Sequence, residues 1–278
     1  MQKRSLPSSF VFAVMLVLPL SGFAAYQDKL AQGAVGNGIK YIAQHGPRAD
    51  WAIVGEPTEM TPVLGHKGSY RKRLTFSGKA AHSSDPSLGE NAIYRAARFA
   101  LEVEAWNERL NATVCPLFGR AVVSANEIDG GFKVIVIPDT CHLEVDRRLL
   151  PGETDATAQA EVDAIVAQLQ EQDPGLTVEI TDLKMGKAPA AVAADSPLAQ
   201  TLKATVDAVT GRPATFGAYR AGTDMTFLMA VGIPTAIFGP GRIGKAHMVD
   251  EYVPVVEMEQ AVSVYTQLIW RLLKRASV

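Results

Sequence analysis

Two short apolar runs, Trp51-Ala52-Ile53-Val54 and Gly232 to Phe238, stand far apart in this 278-residue chain and constrain it more than any other feature. A strand without polar alternation needs cover on both faces, which suits a parallel sheet between helices. The first run leads into Gly55-Glu56-Pro57-Thr58 and the second into Gly239-Pro240-Gly241. Open α/β sheets place their ligands beyond the carboxyl ends of such strands. Helical patterns flank both runs. Gly36 to His45 puts Ile39 and Ile42 on one face and stops at Gly46-Pro47. Ser196-Pro197 is an N-cap followed by proline at the first helical position, with Leu198, Leu202, Val206 and Val209 as a core face and Gly211 as the stop. A last helix from about Glu257 is predicted to bury Met258, Ala261, Tyr265, Ile269 and Leu272.

Between Leu64 and Leu183 the pattern changes. Arg71 to Phe76 reads as a strand with one wet face, and Asn91 to Leu110 as a helix with Ile93, Ala97, Ala100 and Leu101 at helical spacing. Ala121 to Ile128 and Phe132 to Arg148 read as strands joined through Asp129-Gly130-Gly131, a hairpin signal. A helix from Thr154 carries Val162, Ile165, Val166 and Leu169 on one face and ends at Asp173-Pro174-Gly175, before a strand from Thr177 to Leu183. The order β-α-β-β-α-β is that of a ferredoxin-like α+β module. The expected fold is therefore an α/β domain interrupted by an inserted α+β domain.

Composition is that of a globular protein: 47% hydrophobic, 20% charged. Lys+Arg 27 against Asp+Glu 29, with no basic block, argues against a nucleic-acid partner. Lys3 and Arg4, the apolar run Phe10 to Leu20 and the small residues Ser21 to Ala25 form the pattern of a secretory signal, removed near Ala24. That run is too short to span a bilayer comfortably, so no stable membrane span is expected and export to a periplasmic or extracellular space is. A buried helix of the mature fold, or an uncleaved anchor, is the alternative. Cys115 and Cys141 are expected to be free thiols, although export would permit a bridge.

Few residues suggest chemistry by themselves. His247 stands in Ala246-His247-Met248-Val249-Asp250-Glu251-Tyr252, where nearby carboxylates suit a zinc-ligating imidazole. A lone loop histidine is otherwise structural. Glu56 either binds a ligand after its strand or caps a helix. His82, in Gly78-Lys79-Ala80-Ala81-His82-Ser83-Ser84, either projects toward a reacting carbonyl or is an exposed loop residue. Arg148 either clamps a substrate carboxylate or pairs with Asp146 or Glu153 at the surface. There is no Gly-x-Ser-x-Gly elbow, and Gly217 to Gly222 is no phosphate loop.

In combination these segments resemble one family. Val54-Gly55-Glu56-Pro57-Thr58, Gly65-His66-Lys67-Gly68, Gly78 to Pro86, Glu90-Asn91-Ala92-Ile93, Val145 to Gly152, Gly222-Thr223-Asp224 and Phe238-Gly239-Pro240-Gly241 through Val253 are similar to the di-zinc amidohydrolases that include acetylornithine deacetylase, succinyl-diaminopimelate desuccinylase, aminoacylase and carboxypeptidase G. The resemblance covers about Val35 to the C-terminus. It implies a zinc-hydrolase domain over 26–63 and 184–278, a lid and dimerisation domain over 64–183, and a signal peptide over 1–25. It also implies that Glu56 and His247 are ligands to two different zinc ions, that His82 polarises the scissile carbonyl in a partner subunit's site, and that Arg148 holds the substrate's free carboxylate. The substrate class would be N-acyl amino acids or small peptides, and the assembly a homodimer through the lid.

The departures are equally specific. The family places a His-x-Asp segment, a bridging Asp and a Glu-Glu pair ahead of the Gly-Glu-Pro-Thr motif. The first Glu of that pair is the general base. This chain has no Glu before Glu56, and no Glu-Glu or His-x-Asp anywhere. A co-catalytic pair needs about three protein ligands per zinc, so the chain as written is expected to be inactive. The alternative is a non-catalytic dimerising or ligand-binding module. Ile135 stands where relatives carry an asparagine that contacts substrate.

Overall fold

The computed structural model describes residues 37–46, 49–183, 186–246 and 248–275. The expected signal peptide, residues 1–25, and His247 lie outside the described residues. The chain opens with α1 (Asn37–His45), β1 (Ala52–Val54) and β2 (Val63–His66). It continues through β3 (Gly68–Ser77), β4 (Ala81–His82), α2 (Ala92–Asn111), β5 (Val122–Gly130), β6 (Val136–Ile137), β7 (Thr140–Leu149), α3 (Asp155–Gln172) and β8 (Thr177–Asp182). It ends with β9 (Ala190–Ala191), α4 (Pro197–Thr210), β10 (Gly217–Tyr219), α5 (Met225–Ala230), β11 (Thr235–Ile237) and α6 (Val255–Arg275).

Two units result, one of residues up to His66 together with Ala190 onward, the other Lys67–Pro189. The inserted unit begins at Lys67 rather than at 64 because Val63–His66 pairs with strands of the first unit. It runs past 183 because Lys187 bonds back to Ser69.

The first unit is built on a mixed sheet in the order β1-β11-β2-β10, with β9 beside β2. The two apolar runs lie side by side: β1 and β11 are parallel, with Ile53 opposite Ala236 and Val54 opposite Ile237. Ser196 caps α4 through its hydroxyl, and Gly211 ends it at φ 68°, a left-handed conformation that favours glycine. Helix α6 buries Ala261, Val264, Leu268 and Leu272, whereas Met258 is exposed. The expected stripe was thus rotated. Val264 and Leu268 continue the 3.6-residue period of Ala261 and Leu272, and Tyr265 lies beside them with its hydroxyl on the carbonyl of Phe238.

The second unit has an antiparallel sheet in the order β5-β7-β3-β8, with α2 and α3 packed on one face around Phe76, Phe99, Trp106, Leu143, Val162 and Leu169. Thr154 forms a reciprocal capping box with Thr157 at the start of α3. Strand β7 alternates strictly, Cys141, Leu143, Val145, Arg147 and Leu149 being buried and the residues between them less so. On the open face directly opposed residues pair: Arg71 Nε donates to Asp146 Oδ2 at 3.0 Å and Arg73 Nε to Glu144 Oε1 at 2.8 Å. Thr75 Oγ1 and His142 Nδ1 lie 3.0 Å apart on the same face.

Two expectations need correction. Helix α2 buries Ala92, Arg95, Ala96, Phe99, Val103 and Trp106, and Leu101 is exposed; the two large aromatics set the face, one position off the aliphatic one. The strand expected from Phe132 to Arg148 is broken. Gly131 turns the chain at φ 80°, Pro138 has no N–H for a ladder, and Val136–Ile137 pairs instead with Ala81–His82. The hairpin partners remain, with Gly130 opposite Cys141. Both cysteines are free, Cys141 buried and Cys115 half-buried. Among the described residues no helix is long and apolar enough to cross a membrane.

Candidate functional site

In the first unit the loops after β1 and β11 are tied together. Thr58 Oγ1 donates to the carbonyl of Gly239 and accepts from its N–H, both at 3.1 Å. The N–H groups of Thr58 and Met60 also reach that carbonyl, and Glu59 N–H reaches Gly241 O at 2.8 Å. The approach is close enough to require glycine, since a Cβ at Gly239 would stand 2.5 Å from the Glu56 carbonyl oxygen. Glu59 and Met60 take positive φ values of 54° and 60°, the strain of a turn held by these bonds.

Glu56 is thereby fixed at the carboxyl end of a parallel strand, half-buried. Tyr219, from β10, donates its phenolic hydrogen to Glu56 Oε2 at 3.2 Å. Burial, then the Glu56 charge beside it, pushes the Tyr219 phenol well above its ordinary pKa, so it remains a donor. Next to Tyr219 in the sheet is His66, fully buried, with Nε2 3.2 Å from Thr226 Oγ1. Tyr219 stands in no motif, and the resemblance of Gly65-His66-Lys67-Gly68 to the family assigns His66 no role.

In the second unit Arg148 and His82 are separated by the length of the sheet. Arg148 lies opposite Ser69, whereas β4 follows the end of β3 at Ser77, opposite Thr140. The eight steps from Thr140 to Arg148 span about 27 Å at the antiparallel rise. Arg148 is partly exposed on the open face, and its Nη2 donates to Asp146 Oδ2 at 2.9 Å. Of the two surface partners expected for it, Asp146 is the one used; Glu153 binds Arg147 instead.

His82 is exposed. Its Nδ1 accepts the N–H of Ser84 at 3.1 Å, with Ser84 Oγ at 2.7 Å. A backbone N–H donates only, so a neutral ring carries its proton on Nε2, the nitrogen not engaged by Ser84. The N–H of Ser83 is held by the carbonyl of Ile135, which is itself half exposed on the neighbouring loop. The His82 and Ile135 loops border a cleft of about 800 Å³ lined in part by Ser83, Tyr94, Phe132 and Val136.

Comparison with known proteins bears on these parts directly. The family described as the peptidase dimerisation domain matches residues 64–174. Acetylornithine deacetylase of Myxococcus xanthus is 30% identical over 238 residues, covering 84% of this chain and 60% of the relative. The fold is similar to that of aminopeptidase PepT from Bacillus cereus, with TM-score 0.67 at 17% identity over 84% of this chain and 60% of that one. It is also similar to an M20 family metallo-carboxypeptidase from Sulfolobus solfataricus, with TM-score 0.59 at 16% identity over 84% of this chain and 66% of that one. The dimerisation-domain match and these likenesses relate the chain to the M20 metallopeptidases. The chain spans about 60% of the length of the first of these relatives.

Zinc, the metal the family resemblance implies, can be tested against the residues present. Among the described residues no three His, Cys, Asp or Glu side chains come together in a way that would hold a metal ion. Glu56 supplies one carboxylate, and a catalytic zinc takes about three protein ligands. The described residues therefore do not make up a zinc site by themselves.

Proposed function

We propose that this M20 chain carries part of the machinery of a metal-dependent amidohydrolase acting on N-acyl amino acids or small peptides, and that the 278-residue polypeptide alone does not complete it. The observation that carries this reading is the tethering of Glu56 between Tyr219 and the Gly239 loop, which leads on toward His247. Glu56 and His247 are the zinc ligands this chain contributes, one to each of two metals. Zinc, when fully coordinated, supplies a Lewis acid and an activated water. With no Glu-Glu pair in the sequence, the chain offers no general base beside that water.

The remaining roles fall to the Lys67–Pro189 unit. Its strand order and β-α-β-β-α-β sequence of elements support a ferredoxin-like lid. Arg148 presents a guanidinium on the open face, suited to bidentate capture of a carboxylate. His82, exposed and with Nδ1 engaged by Ser84, offers an Nε2–H suited to polarising a carbonyl. Both cannot serve one substrate from the same lid, because they sit at its opposite ends, which supports His82 acting in a partner's site within a homodimer. Residues 1–25 would direct export, on the strength of Lys3, Arg4 and the apolar run after them.

A second reading, a dimerising or ligand-binding module without catalysis, is favoured by the complete lid alongside an incomplete metal site. Calorimetric zinc titration of the purified chain, paired with an N-acetylornithine hydrolysis assay, decides between them. The proposal expects weak zinc binding and no turnover. Tight binding of two zinc ions with turnover abolished by His247→Ala would restore a complete enzyme.

A further inference from the structure

Arg147 occupies a position where the alternation of β7 calls for an aliphatic side chain. It is 1% exposed, in the inward series Cys141, Leu143, Val145, Arg147, Leu149. Its guanidinium meets three elements. It lies over Trp106 of α2 at 5.8 Å from the ring centroid, and its Nε is 3.6 Å from Glu161 Oε2 of α3. In the turn after β7, Nη2 donates to Glu153 Oε1 at 2.6 Å and Nη1 to Glu153 Oε2 at 3.3 Å. Nη1 also donates to the backbone carbonyl of Arg148 at 2.6 Å, and Glu153 Oε2 accepts the N–H of Leu150 at 2.5 Å. The result is a clasp that folds the turn back onto the peptide of Arg148.

A buried arginine paired with carboxylates often stabilises a core no better than apolar residues of the same volume, and here Glu153 and Glu161 keep 30% and 38% of their side chains exposed. Here Trp106 Nε1, Arg147 Nε and Glu161 Oε2 are also buried without hydrogen-bond partners among the described residues. Core stability therefore does not explain the arrangement, whereas its geometry converges on a single peptide. We propose that Arg147, held by Glu153, is a positioning residue: it fixes the backbone at Arg148 so that the Arg148 guanidinium is presented, with Asp146, on the opposite face. This rests on the reading of Arg148 as a carboxylate clamp.

The test uses the full chain and N-acetylornithine as the probe. Arg148→Ala should abolish probe binding. Arg147→Met should weaken it tenfold or more while the thermal midpoint stays level or rises, and the Arg148 Nε–H resonance should shift without ligand. Glu153→Gln leaves the cation in place but loosens the clasp, and serves if Arg147→Met does not fold; it should weaken binding severalfold. Wild-type affinity and an unmoved Arg148 resonance in these variants would overturn the proposal. Wild-type binding in Arg148→Ala, or none in the parent chain, would instead overturn the clamp on which it rests.

Discussion

The phenol of Tyr219 and the carboxylate of Glu56 meet at 3.2 Å across 163 positions of sequence. Tyr219→Phe keeps the ring and removes the donor. A hydrogen bond to a charged group contributes about 1.5–3 kcal/mol, so denaturant unfolding should show a loss near that size. Zinc affinity should fall severalfold with it. Unchanged stability would mean that the contact does not persist in solution.

Tyr265 gives a pH prediction. Burial pushes its phenol up to about 12, above the unfolded value of about 10. A folded pKa above the unfolded one stabilises fully below that unfolded value and loses the effect as pH rises through the folded value. Stability should therefore decline between about pH 10 and 12, and Tyr219 and Tyr70 add in the same direction. Tyr265→Phe should flatten that decline in a series of urea titrations, and an equally steep one would remove Tyr265 as a cause.

Gly239→Ala places a methyl 2.5 Å from the Glu56 carbonyl. Overpacking of this kind costs about 1–3 kcal/mol. Gly244→Ala, where a Cβ meets nothing within 4 Å, is the control and should cost under about 0.5 kcal/mol. Equal effects on the melting temperature would show that the two loops are not tied.

The Lys67–Pro189 segment has its own core. Expressed alone it should unfold in a single cooperative transition. A broad, probe-dependent melt would show that it needs the rest of the chain.

Strand β5 is an edge of the sheet and almost wholly exposed, with Ile128 53% accessible. An unpaired edge invites a second strand. Sedimentation at micromolar concentration should show a dimer, which Ile128→Lys should shift toward monomer. A parent chain that stays monomeric throughout would leave His82 no partner site to enter.

The sequence made the strand order of events legible where side-chain patterning is strong. The two apolar runs are parallel strands, as their lack of alternation implies, and the Ser196-Pro197 and Thr154 helix starts appear as expected. Helix faces drifted by one position because aromatics such as Phe99 and Trp106 outweigh the small residues used to draw the stripe. At the site, motifs pointed to Glu56, His82 and Arg148, but not to what holds them. The contacts of Tyr219 with Glu56 and of Arg147 with Trp106 join residues far apart in sequence, which no motif reports.

The paired charges on the open face of the lid have one more consequence. Covering Arg71, Asp146, Arg73, Glu144 and Arg148 with a dry, apolar partner would strip water from all five at once, and each such ion resists dehydration by several kcal/mol. Whatever approaches this face must bring polar groups or keep a film of solvent between. Its grip should slacken as salt is added, and a greasy ligand should gain nothing from it.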